Sequence, residues 1–161
     1  MKTPVNVAIR GAFATPVAAM ETPGADLRNQ DLRKAILARR AATPSMQASN
    51  AGGWHSDRAI ETWGGAGVGE ILAFARGLAD RMTADREGKL VRPAWSVAAW
   101  ANVNGPGDAN MAHYHPGAFW SGTYYVDDGG CAGDPALGGE FEMLDPRGGA
   151  LRISIAFNLS P

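Results

Sequence analysis

The sequence predicts an α+β fold in which helices come first and antiparallel strands follow. Three observations support this prediction. Apolar residues recur at helical spacing up to residue 82, strand-like segments follow from residue 91, and no repeat or linker divides the chain. The 161 residues suffice for one domain, which we place over residues 1–161. The strand-rich second half indicates a β-sandwich or jelly-roll core.

Two helices are predicted in the first half, after a short strand over residues 5–13. The first helix follows the turn at Pro23-Gly24, with Asp26 as its N-cap, and ends at Thr43-Pro44-Ser45. Residues 45–67 show no sustained period and predict a long irregular segment that covers or builds a site. The second helix carries the strongest periodic signal, which we interpret as core packing. Its apolar stripe consists of Val68, Ile71, Leu72, Ala75, Leu78, Ala79 and Met82.

Four strand segments are predicted in the second half. Residues 95–104 precede a Gly-Pro-Gly turn, residues 118–126 are rich in aromatic and β-branched side chains, and residues 139–144 form a third candidate. Residues 151–159 alternate apolar and polar side chains, as expected for a strand with one buried face.

Composition and charge exclude several classes of function. The chain has 15 Lys and Arg against 16 Asp and Glu, a net charge of −1, so we expect no nucleic-acid partner and no membrane partner. No apolar run approaches the roughly 20 residues of a membrane span, and no secretory segment is evident, so we expect a cytoplasmic protein. The single cysteine, Cys131, excludes an internal disulfide.

A His-x-His pair is the main candidate for chemistry. On an extended strand, His113 and His115 project from the same face and can reach one metal ion. Neutral imidazole suits iron, zinc, copper or nickel. Two surface histidines without a metal remain the alternative on spacing alone.

Further sequence blocks surround this pair. They are Gly52-Gly53-Trp54-His55-Ser56, Trp100-Ala101-Asn102-Val103-Asn104, His113-Tyr114-His115, Phe119-Trp120-Ser121-Gly122-Thr123-Tyr124-Tyr125-Val126, Leu137-Gly138-Gly139-Glu140, Asp145-Pro146-Arg147 and residues 152–158. The order of these blocks resembles a bacterial family of iron(II)- and 2-oxoglutarate-dependent oxygenases related to the prolyl hydroxylases. The resemblance implies a double-stranded β-helix core, similar to a jelly roll or cupin, with the N-terminal helices packed on one sheet.

The resemblance implies a non-haem dioxygenase that binds Fe(II), uses 2-oxoglutarate as cosubstrate and hydroxylates an unidentified substrate. His113 resembles the first iron ligand, and His115 replaces the aspartate that relatives carry at that position. Arg152 resembles the arginine that pairs with the far carboxylate of 2-oxoglutarate, with Ser154 as its neighbour on the same strand face. A guanidinium fits that role because it binds a carboxylate through two parallel hydrogen bonds.

Four further residues are assigned to the site with less support from their surroundings. Asn102 matches an asparagine that contacts the cosubstrate in related dealkylating oxygenases. Tyr125 shares strand parity with the two histidines and can line the same cavity. His55 and Trp54 are assigned to the substrate entrance.

The sequence departs from the family pattern after Arg147. The family has a third iron ligand, a histidine between the Asp-Pro-Arg block and the arginine strand, but no histidine follows His115 here. The absence of this histidine has three explanations: residues are omitted from the sequence, the chain is truncated internally, or the protein is a degenerate family member that has lost catalysis. We expect residues to be missing near 148–151, because a β-helix without a central strand exposes unpaired edges.

Two rival functions remain at this point. A cupin-type metal enzyme also uses His-x-His, although the acidic residue expected soon afterwards is absent from residues 116–123. A metal-free β-sandwich module with a tryptophan platform is the other rival. The substrate, a small molecule or a peptide, is not readable from the sequence, and a homodimer through sheet edges is compatible with it.

Overall fold

The computed structural model describes residues 15–143 and the strand residues 159–160. Helices and short antiparallel strands are mixed, in agreement with the predicted α+β class. The predicted strand over 5–13, the missing segment expected near 148–151, Arg152 and Ser154 lie outside the described residues. Among the helices that are described, none is both long enough and apolar enough to cross a membrane.

Within the described residues, the first half of the chain contains three helices: α1 (Ala25–Ala42), α2 (Ile60–Trp63) and α3 (Ala66–Met82). Helix α1 ends where predicted, because Thr43 has an extended backbone (φ −136°, ψ 141°) before Pro44, and the Thr43 hydroxyl also donates to the Arg39 carbonyl at 2.8 Å. The predicted N-cap was wrong. Gly24 occupies the cap position with a left-handed φ of 65°, which favours glycine, and Asp26 lies in the first turn.

Within residues 15–143 and 159–160, six short strands make three separate antiparallel pairs. They are β1 (Asn50–Ala51) with β5 (Ala109–Asn110), β2 (Trp54–His55) with β4 (Asn102–Val103), and β3 (Ser96–Val97) with β6 (Leu159–Ser160). The structure has no regular strand over residues 121–126 or 139–143, where strands were predicted. In the first of these segments, the Tyr124 hydroxyl is hydrogen-bonded to Asn29 and Arg28 of α1.

The core lies between the helices and the β2–β4 pair. Leu32 and Ile36 of α1 and Val68 of α3 are buried against Trp54 and Ala101. The close approach of the two long helices depends on Gly67, since a Cβ there would lie 3.1 Å from the Leu32 side chain. The apolar stripe predicted for the second helix therefore does contribute to the core.

A polar cluster connects the N-terminal part of α1 to the second half of the chain. The Tyr124 hydroxyl donates to Asn29 at 2.6 Å and accepts from the Arg28 guanidinium at 3.3 Å. Arg28 also donates to Thr22 and pairs with Glu70 of α3 at 3.2 Å. Because Arg28 is only 11% exposed, these partners satisfy a charge that is largely removed from water.

Candidate functional site

The β2–β4 pair places the first histidine of the site. His55 is opposite Asn102 in the ladder, and Trp100 precedes Asn102 by two residues, so all three project from one face. The indole of Trp100 stacks on the His55 ring, with centroids 5.7 Å apart and planes inclined by 17°. Trp100 thus covers a histidine that is 6% exposed.

The other two histidines approach Trp100 from a loop that follows β5. The rings of His113 and His115 lie together, with centroids 4.6 Å apart. The His115 ring meets the Trp100 indole edge-on at 5.5 Å. We call the residues His113, His115, Trp100 and His55 the aromatic row. It brings all three histidines of the chain to one place.

The backbone at the His-x-His pair differs from the expected strand. Residues 111–115 form an irregular loop, yet the two rings converge instead of pointing to opposite sides. The Met111 N–H donates to the Ser49 carbonyl at 2.7 Å, and this bond anchors the loop beside β1 and β5. The approach of the rings therefore comes from the local loop path and from Trp100.

Hydrogen bonds determine which nitrogen of two imidazoles carries the proton. His113 Nδ1 lies 2.7 Å from the Met111 carbonyl oxygen, and His55 Nδ1 lies 2.6 Å from that of Ser56. A carbonyl only accepts, so Nδ1 is the donor in both rings. In the neutral form of His113, Nε2 then bears the lone pair, which is the arrangement a metal ligand needs.

The two residues assigned to the substrate entrance are buried. Trp54 is 5% exposed, packs in the core and donates its indole N–H to the Thr43 carbonyl at 3.0 Å. His55 has its backbone N–H bonded to the Ser45 hydroxyl at 3.0 Å. Trp54 therefore connects the β2–β4 pair to the end of α1. This structural role was not predicted from the sequence.

Of the residues assigned to cosubstrate binding, Asn102 and Tyr125 lie within the described part of the chain. Asn102 is exposed and lies on the same ladder face as His55. Tyr125 is half exposed, and burial of part of its ring together with the nearby Cys131 raises the pKa of its hydroxyl. The sequence does not assign a role to the neighbouring Tyr124, although its hydroxyl belongs to the polar cluster with Asn29 and Arg28.

Two charged residues between β2 and α2 also border the site. Asp57 accepts from the Trp63 indole at 3.0 Å, from the Arg39 guanidinium and from the Ala59 N–H at 3.1 Å. These bonds lower the pKa of Asp57 to about 2. The next residue, Arg58, lies over the Trp100 ring with its guanidinium carbon 5.7 Å from the centroid. No periodic signal in the sequence indicates either contact.

The donor set suits a transition metal in part. His113 and His115 offer two imidazoles, which are ligands that Fe(II) accepts. No group of three or more His, Cys, Asp or Glu side chains suited to a metal occurs within the described residues. The described residues therefore offer two neighbouring imidazoles as candidate ligands and no third one beside them.

One comparison with known proteins bears on this site. Residues 98–147 match the family model described as "Putative 2OG-Fe(II) oxygenase". The matched region covers about a third of the chain and includes Asn102, His113, His115 and Tyr125, and it supports an oxygenase at the level of the family. Neither the curated proteins nor the solved structures gave a match.

Proposed function

We propose that the protein is a non-haem Fe(II)- and 2-oxoglutarate-dependent dioxygenase that hydroxylates an organic substrate. The observation that carries this proposal is the convergence of the His113 and His115 rings inside the region that matches the oxygenase family. Two rings with centroids 4.6 Å apart can be shared by one ion with modest rotation of the side chains. The proposal includes the double-stranded β-helix architecture of the family and a cytoplasmic location.

His113 and His115 would hold the metal. His113 binds through Nε2, because its Nδ1–H is engaged by the Met111 carbonyl, and this bond also fixes the ring orientation. Trp100 restricts the His115 ring from its side. When bound, Fe(II) would allow dioxygen to act as the oxidant, with 2-oxoglutarate as the co-reductant that is converted to succinate and carbon dioxide, and the protein would supply ligands, orientation and exclusion of water.

The cosubstrate residues in this proposal are those implied by the family resemblance. Arg152 would pair with the far carboxylate with Ser154 as its helper, and Asn102 would contact the cosubstrate from the ladder face that it shares with His55. Tyr125 completes the candidate set. A third metal ligand is required for strong iron binding, and the residues described here do not include it.

The test is an anaerobic titration of the full chain with Fe(II) and 2-oxoglutarate, followed through the visible charge-transfer band of the chelate. We expect a band in the parent protein and a loss of metal affinity of at least about tenfold in His113→Ala and in His115→Ala. Asn110→Ala, an exposed change nearby in the chain, is the control and keeps the band. A parent protein without the band contradicts the proposal.

The same preparation separates the rival functions. Release of succinate that depends on 2-oxoglutarate and oxygen is expected of the dioxygenase and not of a cupin-type metal enzyme. A chain that binds no transition metal at all would support the metal-free binding module, whose tryptophans include Trp54, Trp63, Trp95, Trp100 and Trp120.

A further inference from the structure

The aromatic row has a cation on its border that the proposed reaction does not use. Arg58 is exposed, and its guanidinium lies over the Trp100 ring, which itself touches both His55 and His115. A guanidinium on an aromatic face keeps its donors at the edge of the plane, where they can reach an anion. Arg58 is thus placed beside the candidate metal ligands.

The charge of Arg58 is not neutralised by the described part of the chain. None of the ion pairs found there includes Arg58. The adjacent carboxylate, Asp57, has both oxygens engaged by Arg39, Trp63 and the Ala59 N–H. Other exposed arginines share this lack of a partner, but Arg58 is the arginine that contacts the aromatic row.

Large apolar side chains are exposed in the loop that carries two histidines of the same row. Met111, whose carbonyl accepts from His113, is 61% exposed, and Tyr114, between the two histidines, is 85% exposed. Such side chains on a surface mark a place where an apolar ligand surface can be buried. The site therefore combines an apolar border with a cation.

We propose that Arg58 and Trp100 form the wall of a ligand site that takes an organic anion with an apolar or aromatic body. Arg58 binds the carboxylate of this ligand, and the indole together with the exposed side chains of the 111–114 loop contacts its body. The inference rests on the proposed function in that the ligand would be the substrate of the oxygenase. The binding itself does not require the metal.

The test uses the full chain treated with a chelator, so that no carboxylate can bind to a metal. The probes are 3-phenylpropionate and its neutral amide, and the readouts are tryptophan fluorescence and ligand-observed NMR. We expect the acid to bind about fivefold more tightly than the amide at low ionic strength. Added salt should remove that difference, because it screens the charge of the exposed guanidinium.

Matched variants assign the difference to Arg58. Arg58→Gln should weaken the acid about fivefold and leave the amide unchanged, whereas Arg58→Lys should retain most of the preference. Arg86→Gln, an exposed change in the turn between α3 and β3, is the control and should behave as the parent protein. Any of three results overturns the inference. They are equal affinity of the parent protein for the acid and the amide, an affinity of Arg58→Gln for the acid that equals the parent's, and no binding of the acid at millimolar concentration.

The two proposals fail separately. A chain that binds the acid through Arg58 but gives no charge-transfer band contradicts the dioxygenase and leaves the anion site in place. A chain that gives the band but binds acid and amide equally contradicts the anion site alone.

Discussion

The helical layer, formed by α1 and α3, and the region of residues 98–143 are held in place by different interactions. Helices α1 and α3 have their own hydrogen-bond ladders and bury apolar faces against each other and against β2–β4. Residues 98–143 have only two-residue strands, and side chains tie this region to the helices. Tyr124 bonds to Asn29, and the Trp120 indole donates to the Thr83 hydroxyl at 2.8 Å.

This difference indicates which part of the molecule determines the geometry of the site. A region with little regular structure keeps its shape only as long as its anchors hold. The aromatic row depends on the β2–β4 pair, and that pair packs on α1 through Trp54. We therefore expect substitutions in the helical layer to disturb the site. Substitutions in the loop of residues 111–115, which we call the site loop, should leave the helical layer intact.

The largest effect is expected in the helical layer. Leu32 is 2% exposed at the contact of α1 with Gly67, so Leu32→Ala leaves a cavity and should lower the free energy of unfolding by about 2–5 kcal/mol. Urea denaturation measures this value. Leu27→Ala on the same helix is the control, because Leu27 is 76% exposed. Similar losses in both variants would contradict the assigned core.

A smaller effect is expected at the connection between the two regions. Tyr124→Phe removes the hydroxyl that bonds to Asn29 and Arg28, and should cost about 1–2 kcal/mol of unfolding free energy. Tyr125→Phe is the matched control, with a change within about 0.5 kcal/mol, since Tyr125 is half exposed. Equal effects of the two variants would show that the polar cluster does not anchor the second half.

A pH-dependent effect is expected at Asp57. Its pKa is lowered from 3.8 to about 2, so the stabilisation is fully present above the unfolded value and is lost as the pH falls through about 2. Asp57→Asn should lower the melting temperature at neutral pH. It should also make the melting temperature fall less steeply as the pH decreases from the unfolded pKa of 3.8 through about 2. Thermal unfolding against pH checks this, with Asp31→Asn, an exposed helix change, as control.

The smallest effect on stability is expected in the site loop. His113 is exposed, so His113→Ala should change the free energy of unfolding by no more than about 0.5 kcal/mol, although it removes a proposed metal ligand. Urea denaturation of the metal-free chain measures this. A large loss would mean that the loop supports the fold, and the contrast between the two regions would then be weaker than described.

The local pattern of the sequence determined the helices and the closeness of the two loop histidines in the chain. The stripe from Val68 to Met82 predicts α3 because helix formation depends on neighbours three and four residues apart. His113 and His115 are close in the chain because only Tyr114 separates them, and the path of the loop, not a strand, brings their rings together. Within the strand predicted over 118–126, the structure has no regular strand at residues 121–126, and strand pairing depends on distant partners, which local periodicity does not identify.

Only the tertiary structure decided what surrounds the pair. Trp100 contacts both His55 and His115, which are 60 positions apart in the chain, and the Arg58 guanidinium lies over the same indole. Tyr124 rather than Tyr125 faces the helices. Such contacts arise when distant segments pack on a shared core, and neither composition nor spacing records which side chains will then be neighbours.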